Sequence, residues 1–397
     1  MITSLILAAC TCCAAACQQN EQKLAATLPA VFEKSAAHYR ALNAAATPLM
    51  KDEKGNFRVP HGVKKTGELD MRSIYWWTSG HFPGSLWYLY EATGDDFFKA
   101  EATKWTEILE PVKDYKDNHD VGFMMYCSYG NARRLLKTNR YDDILRTTAN
   151  TLCMRYNDEL GLLRSWGKVD DRKTFRVIPD NMMNLELLMW AAKNGADKRV
   201  GDIAVSHARV SSKHHFRADS GCYHVLDYDQ VTRRVKNVDR GQGASVETAW
   251  SRGQSWAIYG YAMMYRETKI PEFLDRAMAC ADFAISNPNM PEDGIPYWDY
   301  GAPGEERDSS AGSIMASGLL DLAKLAPCEK AKAYRAFAVK QLLSLCSDAY
   351  FAKPGENGDW LLKHGVGHKP AGSEVDVPLD YGDYYFLEAL LRFKASF

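Results

Sequence analysis

Met182-Met183-Asn184-Leu185-Glu186-Leu187-Leu188-Met189-Trp190 is followed by the turn Lys193-Asn194-Gly195-Ala196 and by a charged, alanine-bearing segment over 197–215. The first segment is apolar nearly all round at helical spacing, so it reads as a buried helix. The second carries apolar residues on one side only, so it reads as a helix lying on the outside. A turn this short leaves the two helices antiparallel neighbours. The same unit recurs along the chain. Its other turns are Thr93-Gly94-Asp95-Asp96, Lys137-Thr138-Asn139-Arg140, Glu267-Thr268-Lys269-Ile270 and Lys324-Leu325-Ala326-Pro327. The pattern predicts apolar helices over roughly 81–93, 121–137, 181–194, 249–267, 309–324 and 381–396. It predicts charged helices over roughly 22–45, 95–111, 140–156, 197–215, 271–287 and 329–349. Six such pairs predict an all-α, closed (α/α)6 barrel, one ring of helices inside another. An open α-solenoid is the alternative, but its units would be more equal in length.

The connections differ in kind. Those from an inner to an outer helix are short. Those from an outer to an inner helix are long, most clearly 46–80, 157–180 and 216–248. Short β-hairpins are expected there, one of them running through Cys222-Tyr223-His224-Val225-Leu226-Asp227-Tyr228 with a turn near Asp229. Long loops gathered at one end of a rigid scaffold usually carry function. That end also holds the starts of all six inner helices.

Composition narrows the partners. The chain has 397 residues, Lys+Arg 49 against Asp+Glu 50, and net charge −1, which disfavours electrostatic binding to nucleic acid. No apolar run reaches the roughly 18–20 residues a membrane span needs. Residues 1–17, MITSLILAACTCCAAAC, are apolar and small, and Gln18 to Lys23 turn polar. Residues 1–20 therefore read as a secretory leader of the lipoprotein kind, cleaved before Cys10 or Cys17, which implies a bacterial periplasmic protein, lipid-anchored or free. Residues 21–397 read as one domain. Cys127, Cys153, Cys222, Cys280, Cys328 and Cys346 are widely spread with no CxxC pair, so neither a disulfide framework nor a zinc site is expected. His214-His215 reads as a helix C-terminus.

Two aspartates stand where inner helices begin: Asp120 in Asn118-His119-Asp120-Val121-Gly122-Phe123, and Asp180 in Ile178-Pro179-Asp180-Asn181-Met182-Met183-Asn184. Each alone suits an N-cap. Together, on adjacent inner helices, they should face one cavity, where paired carboxylates hold a proton between them. Trp77 and Trp166 precede inner helices and suit stacking on sugar rings. Trp250 and Trp256 flank Ser251-Arg252-Gly253-Gln254. Arg252 has the planar fork that grips a carboxylate, or it is tied up in an ion pair with a residue such as Glu247. His224 lies on the expected hairpin. Asp308 reads best as a helix cap. His364-Gly365-Val366-Gly367-His368-Lys369-Pro370 is a candidate rim.

Taken in order, Trp77-Thr78-Ser79-Gly80, His119-Asp120-Val121-Gly122-Phe123, Asp180-Asn181-Met182-Met183-Asn184-Leu185, Trp250 to Gly260, Asp308-Ser309-Ser310-Ala311 and Gly382 to Leu390 resemble glycoside hydrolase family 88, the unsaturated glucuronyl hydrolases. The resemblance covers roughly residues 22–397 and implies a six-hairpin α/α barrel. It implies removal of a Δ4,5-unsaturated uronic acid from the non-reducing end of lyase-generated oligosaccharides, by hydration of the C4=C5 bond. By that resemblance Asp180 is the general acid/base and Asp120 the second essential carboxylate. Trp77 and Trp166 would be pocket walls, and His119 belongs with the binding residues. His224, Gln242, Arg252 and Trp256 would be polar and stacking contacts to the sugar and its carboxylate. The substrate would be of chondroitin, hyaluronan or heparin type, and His368, Lys369 and Lys363, which would meet the next sugar, suit sulfated glycosaminoglycan fragments. No metal or organic cofactor is implied. The chain would act as a monomer or dimer.

Two other readings stay open at this point. Family 105, the unsaturated rhamnogalacturonyl hydrolases, shares fold and chemistry but acts on pectin fragments. A non-catalytic glycan-binding protein would have the same toroid.

Overall fold

A computed structural model describes the backbone of residues 2–397 and the side chains of residues 17–397. The leader expected over residues 1–20 lies, as far as residue 16, outside the described side chains. Helices alternate between an outer and an inner ring. Along the chain run α1 (Ile2–Ala46, outer), α2 (His81–Thr93, inner) and α3 (Asp96–Glu107, outer). A broken inner helix follows, made of α4 (Val121–Met125), a π-turn over Tyr126–Gly130 and α5 (Asn131–Leu136). Then come α6 (Asp142–Cys153, outer), α7 (Leu185–Lys193, inner) and α8 (Lys198–His214, outer). The circuit ends with α9 (Ser251–Thr268, inner), α10 (Pro271–Ile285, outer), α11 (Ser309–Ala323, inner), α12 (Cys328–Leu345, outer) and α13 (Asp380–Ser396, inner).

The ring closes on itself. Glu388 of α13 accepts from Tyr88 of α2 at 2.8 Å, Tyr259 of α9 at 3.1 Å and Ser317 of α11 at 2.5 Å. Four inner helices thus meet on one buried carboxylate, which Arg392 neutralises at 3.2 Å. Outside, Arg335 of α12 pairs with Glu21 of α1 at 2.7 Å, so the last outer helix packs against the first. Between the rings lie fully buried Trp87, Trp105 and Phe82. Burying one such side chain stabilises by about 1.5–3 kcal/mol. The inner-to-outer turns are tight, as expected. Gly94 caps α2 at φ 70, a left-handed conformation that favours glycine, and Asp95 then caps α3 by accepting from Phe97 N at 3.0 Å.

Two inner helices depart from the regular helices expected. Within 121–137, Ser128 Oγ donates back to the Met124 carbonyl at 2.6 Å, and the backbone widens into the π-turn. The third inner helix opens with a 3-10 segment, Pro179–Asn184, before α7. Both irregularities fall on the helices that carry Asp120 and Asp180.

The long connections hold antiparallel hairpins at the end where inner helices start. Strands β1 (Arg58–Val63) and β2 (Leu69–Ser73) pair, as do β3 (Tyr156–Asn157) and β4 (Leu162–Leu163). Strands β5 (Arg176–Val177), β6 (Val225–Tyr228) and β7 (Val235–Asp239) form one sheet, and β8 (Gly365–His368) pairs with β9 (Ser373–Val377). The turn foreseen near Asp229 is there, with its carboxylate accepting from Val231 N at 2.9 Å and Thr232 N at 2.7 Å. Among the described residues no helix is long and apolar enough to cross a membrane. A cavity of about 1100 Å³ runs among the inner helices away from the carboxyl pair, lined by Tyr88, Arg134, Trp190 and Arg392. Its four arginines are already paired, Arg133 with Asp142, Arg134 with Glu91, Arg266 with Glu186 and Arg392 with Glu388. Neither Asp120 nor Asp180 lines it.

Candidate active site

Four aspartates stand at the starts of inner helices, and they behave differently; Asp380, the first residue of α13, lies 3.2 Å from His61 Nδ1. Asp308 caps α11: its Oδ1 accepts from Ser310 N at 3.0 Å and Ala311 N at 3.3 Å. Asp120 occupies the N-cap position of α4 yet makes no capping bond. Asp180 lies inside the 3-10 segment and does not cap it either. Their carboxylates are therefore left for other work.

Both are buried, and their charges act on one another. Asn184 Nδ2 donates to Asp120 Oδ1 at 3.3 Å, and His119 Nε2 lies 3.3 Å from the same oxygen. Burial raises the Asp120 carboxyl, and the neighbouring Asp180 raises it further; Asn184 and Arg155 oppose the rise. Burial also raises Asp180, opposed by the charge of Arg252. Asp180 Oδ2 has no hydrogen-bond partner. The Trp256 indole N–H faces Asp180 and lowers it slightly, without closing to a hydrogen bond of normal geometry. Two buried carboxyls whose charges interact cannot both ionise cheaply, so the pair retains a proton near neutrality. Glycine at 122 is required here, since a Cβ would sit 2.5 Å from Asn184 Oδ1.

The walls are aromatic. Trp77 packs against Tyr381, with ring centroids 4.9 Å apart, and against Phe123 at 5.8 Å. Trp166 is 36% exposed and stands edge-on to His224 at 6.2 Å. His224 lies on Trp250 at 4.4 Å. Its Nδ1 accepts from Gln242 N at 2.8 Å, which puts the proton on Nε2, 3.9 Å from Asp180 Oδ2. Burial and Arg252 hold this imidazole down to about 3, and burial with Arg155 holds His119 down to about 3, so both rings are neutral.

Arg252 is buried and fully engaged through its terminal nitrogens. They donate to the carbonyls of Val366 and Gly367 in β8, to Gln242 Oε1 at 2.7 Å, and lie 3.5 Å from Asp308 Oδ2. Its ion-pair partner is Asp308 and not Glu247, because Asp308 is turned inward by its capping duty. The guanidinium also stacks on Trp250 at 4.4 Å and Tyr381 at 5.2 Å. Arg252 thus ties α9, α11 and the rim hairpin together beside Asp180. At the rim, Lys369 is turned onto Glu306 and Glu305, Lys363 donates to the Asp348 carbonyl at 2.7 Å, and His368 Nδ1 accepts from Ala371 N at 3.3 Å.

The structure therefore brings Asp120, Asp180, His119, His224, Gln242, Arg252, Trp77, Trp166 and Trp256 to one mouth, with His368 and Lys369 on its edge. Trp250, noted from sequence beside Arg252, also builds it, as do Asn184, Arg155 and Tyr381, which were not singled out from sequence. Asn184 had a signal: a polar residue four positions after Asp180 in an otherwise apolar run.

An (α/α)6 barrel whose aromatic-walled mouth holds two buried, uncapping carboxyls is the architecture of a glycoside-cleaving enzyme. The comparisons agree. The chain is 44% identical to an unsaturated glucuronyl hydrolase of Formosa agariphila over 80% of its own length and 79% of the relative's. It is 36% identical to an unsaturated chondroitin disaccharide hydrolase of Streptococcus pyogenes, over 80% and 81%. The structure superposes on that of an unsaturated glucuronyl hydrolase specific for heparin with TM-score 0.86 and 40% identity, covering 92% of this chain and 97% of the other. For the Bacillus sp. GL1 unsaturated glucuronyl hydrolase the TM-score is 0.84, with 28% identity and coverage of 92% and 97%. No protein-family model matches the chain. The chain belongs to the unsaturated glucuronyl hydrolases.

Proposed function

We propose that the chain removes a Δ4,5-unsaturated uronic acid from the non-reducing end of glycosaminoglycan-type oligosaccharides by hydrating C4=C5. The observation that carries this reading is the pair of buried, uncapping carboxyls, one with an unpartnered oxygen. Asp180 gives its proton to C4, which leaves an oxocarbenium-like centre at C5. Water bonds to C5 and passes a proton back to the Asp180 carboxylate. The resulting hemiketal opens and the remaining sugar leaves. Asp120, fixed by Asn184 and lying beside His119, holds ring hydroxyls and stabilises the developing positive charge. His224 points its Nε2–H toward Asp180, and Trp77 and Trp166 stack on the sugar. Gln242 and Arg252 shape the carboxylate end, and Trp256 closes the floor.

The test is ultraviolet absorbance of unsaturated chondroitin, hyaluronan, heparin and rhamnogalacturonan disaccharides with wild type and Asp180→Asn. Loss of the double-bond absorbance of a chondroitin, hyaluronan or heparin disaccharide with wild type alone supports the reading; loss confined to the rhamnogalacturonan disaccharide, or no loss at all, overturns it. Relatives named for chondroitin and heparin substrates support the glycosaminoglycan class. A preference for sulfated fragments would rest on His368, Lys363 and Lys369. Because Lys369 is paired with Glu306, Glu306→Gln should strengthen it, and equal cleavage of sulfated and desulfated disaccharides would remove it. Residues 1–20 act in this reading as a leader, with cleavage before Cys10 or Cys17 and lipidation placing the enzyme in the periplasm. Mass spectrometry of the mature N-terminus tests that.

A further inference from the structure

Arg155 follows α6 and is 2% exposed. Its guanidinium makes no ion pair among the described residues. It spends its donors on four backbone carbonyls: Arg164 at 2.9 Å, Ser165 at 3.1 Å, Gly167 at 3.0 Å and Lys116. Those carbonyls belong to two different loops. Ser165 and Gly167 flank Trp166, the half-exposed aromatic wall. Lys116 lies in the loop that ends at His119 and Asp120. A buried arginine without a carboxylate partner carries a desolvation cost that an apolar filler would avoid. What it supplies in return is a rigid planar fork able to register two loops at once, which lysine cannot do.

We propose that Arg155 is a positioning residue for the reaction, locking the Trp166 loop against the Asp120 loop so that the stacking wall and the carboxyl pair face one sugar. The inference rests on the roles given above to Asp120 and Asp180. A second consequence follows from its charge. The groups acting on Asp120 are Asp180 from the third inner helix, Asn184 beside it, Asn118 and neutral His119 on its own loop, and Arg155 from behind. Asp180 and burial raise Asp120, and Arg155 is the cation opposing them.

The experiment compares Arg155→Lys, Arg155→Gln and each in a Trp166→Ala background, with thermal unfolding confirming that every variant is folded. Wild-type hydration of an unsaturated disaccharide comes first. If it fails, the functional reading fails, whatever Arg155 does. Given wild-type activity, both single variants are expected to lose about tenfold to a hundredfold in kcat/KM, mainly through KM. Arg155→Gln alone moves the alkaline limb of the pH–rate profile up by about one unit, while Arg155→Lys, keeping the cation, does not. In the Trp166→Ala background the KM increment disappears, since the residues act through one another. A wild-type KM and pH profile in Arg155→Gln overturns the proposal. So does a KM increment that persists undiminished without Trp166.

Discussion

Asn184 bridges the seam between the second and third inner helices: its amide donates to Asp120 Oδ1 at 3.3 Å while its side-chain oxygen accepts from Phe123 N at 2.8 Å. One residue on the Asp180 helix thereby fixes the carboxyl on the Asp120 helix. Asn184→Ala leaves the Phe123 N–H buried without a partner, which costs about 1–3 kcal/mol. It also removes a group that holds Asp120 down, so the alkaline limb of activity should move upward. Urea unfolding and a pH–rate profile check the two effects separately.

The carboxyl pair sets a pH dependence of stability. Burial raises both carboxyls, and Asp180 raises Asp120 further, so the pair titrates as a unit between about 6 and about 8 with one proton shared between them. In the unfolded chain both titrate near about 4. Between those limits the folded chain keeps protons that the unfolded chain has lost, so the contribution is full in acid and is lost as pH rises toward 8. Asp120→Asn abolishes most of that slope. Its melting temperature should match wild type near pH 4 and exceed it near pH 8, while activity falls by about 10²–10⁴-fold.

Two helix caps should respond very differently to truncation. Asp95 is an exposed cap of α3, and Asp95→Ala should cost about 1 kcal/mol. Asp308 caps α11 and also faces buried Arg252 at 3.5 Å. Asp308→Ala strands that guanidinium charge, and about 3–5 kcal/mol is expected. Denaturant unfolding of the two variants side by side measures the difference.

His224 should remain neutral far below the usual imidazole range. Burial and Arg252 hold it down to about 3, and Gln242 N fixes the Nε2–H tautomer. Nitrogen-15 spectra of the side chain are expected to show that single tautomer with no titration above pH 4. A midpoint near 6 would mean that the ring faces Asp180 as a cation and that the assigned geometry is wrong.

The double ring could be read from the alternation of apolar and one-sided helices, because helical period and turn length are local properties. Asp120 and Asp180 could be read from their places at adjacent helix starts. What escaped was set by backbone. Arg155 binds carbonyls, which every residue has, so nothing in its neighbours announces the clamp. Arg252 reaches Val366 and Gly367 from far along the chain, and its partner Asp308 became visible only once α9 and α11 lay side by side. The π-turn over Tyr126–Gly130 answers to one serine folding back on its own helix, inside a run that reads as regular.

The direction of α1 decides where the lipid anchor proposed above would leave the fold. Its Ala46 end feeds the loop toward the mouth, and its Glu21 end is gripped by Arg335 beside Ser396, at the opposite face of the barrel. An anchor attached upstream of Glu21 would therefore leave from the blind side. The opening would point outward from the bilayer, toward incoming oligosaccharides, and lengthening the tether would be unnecessary for access.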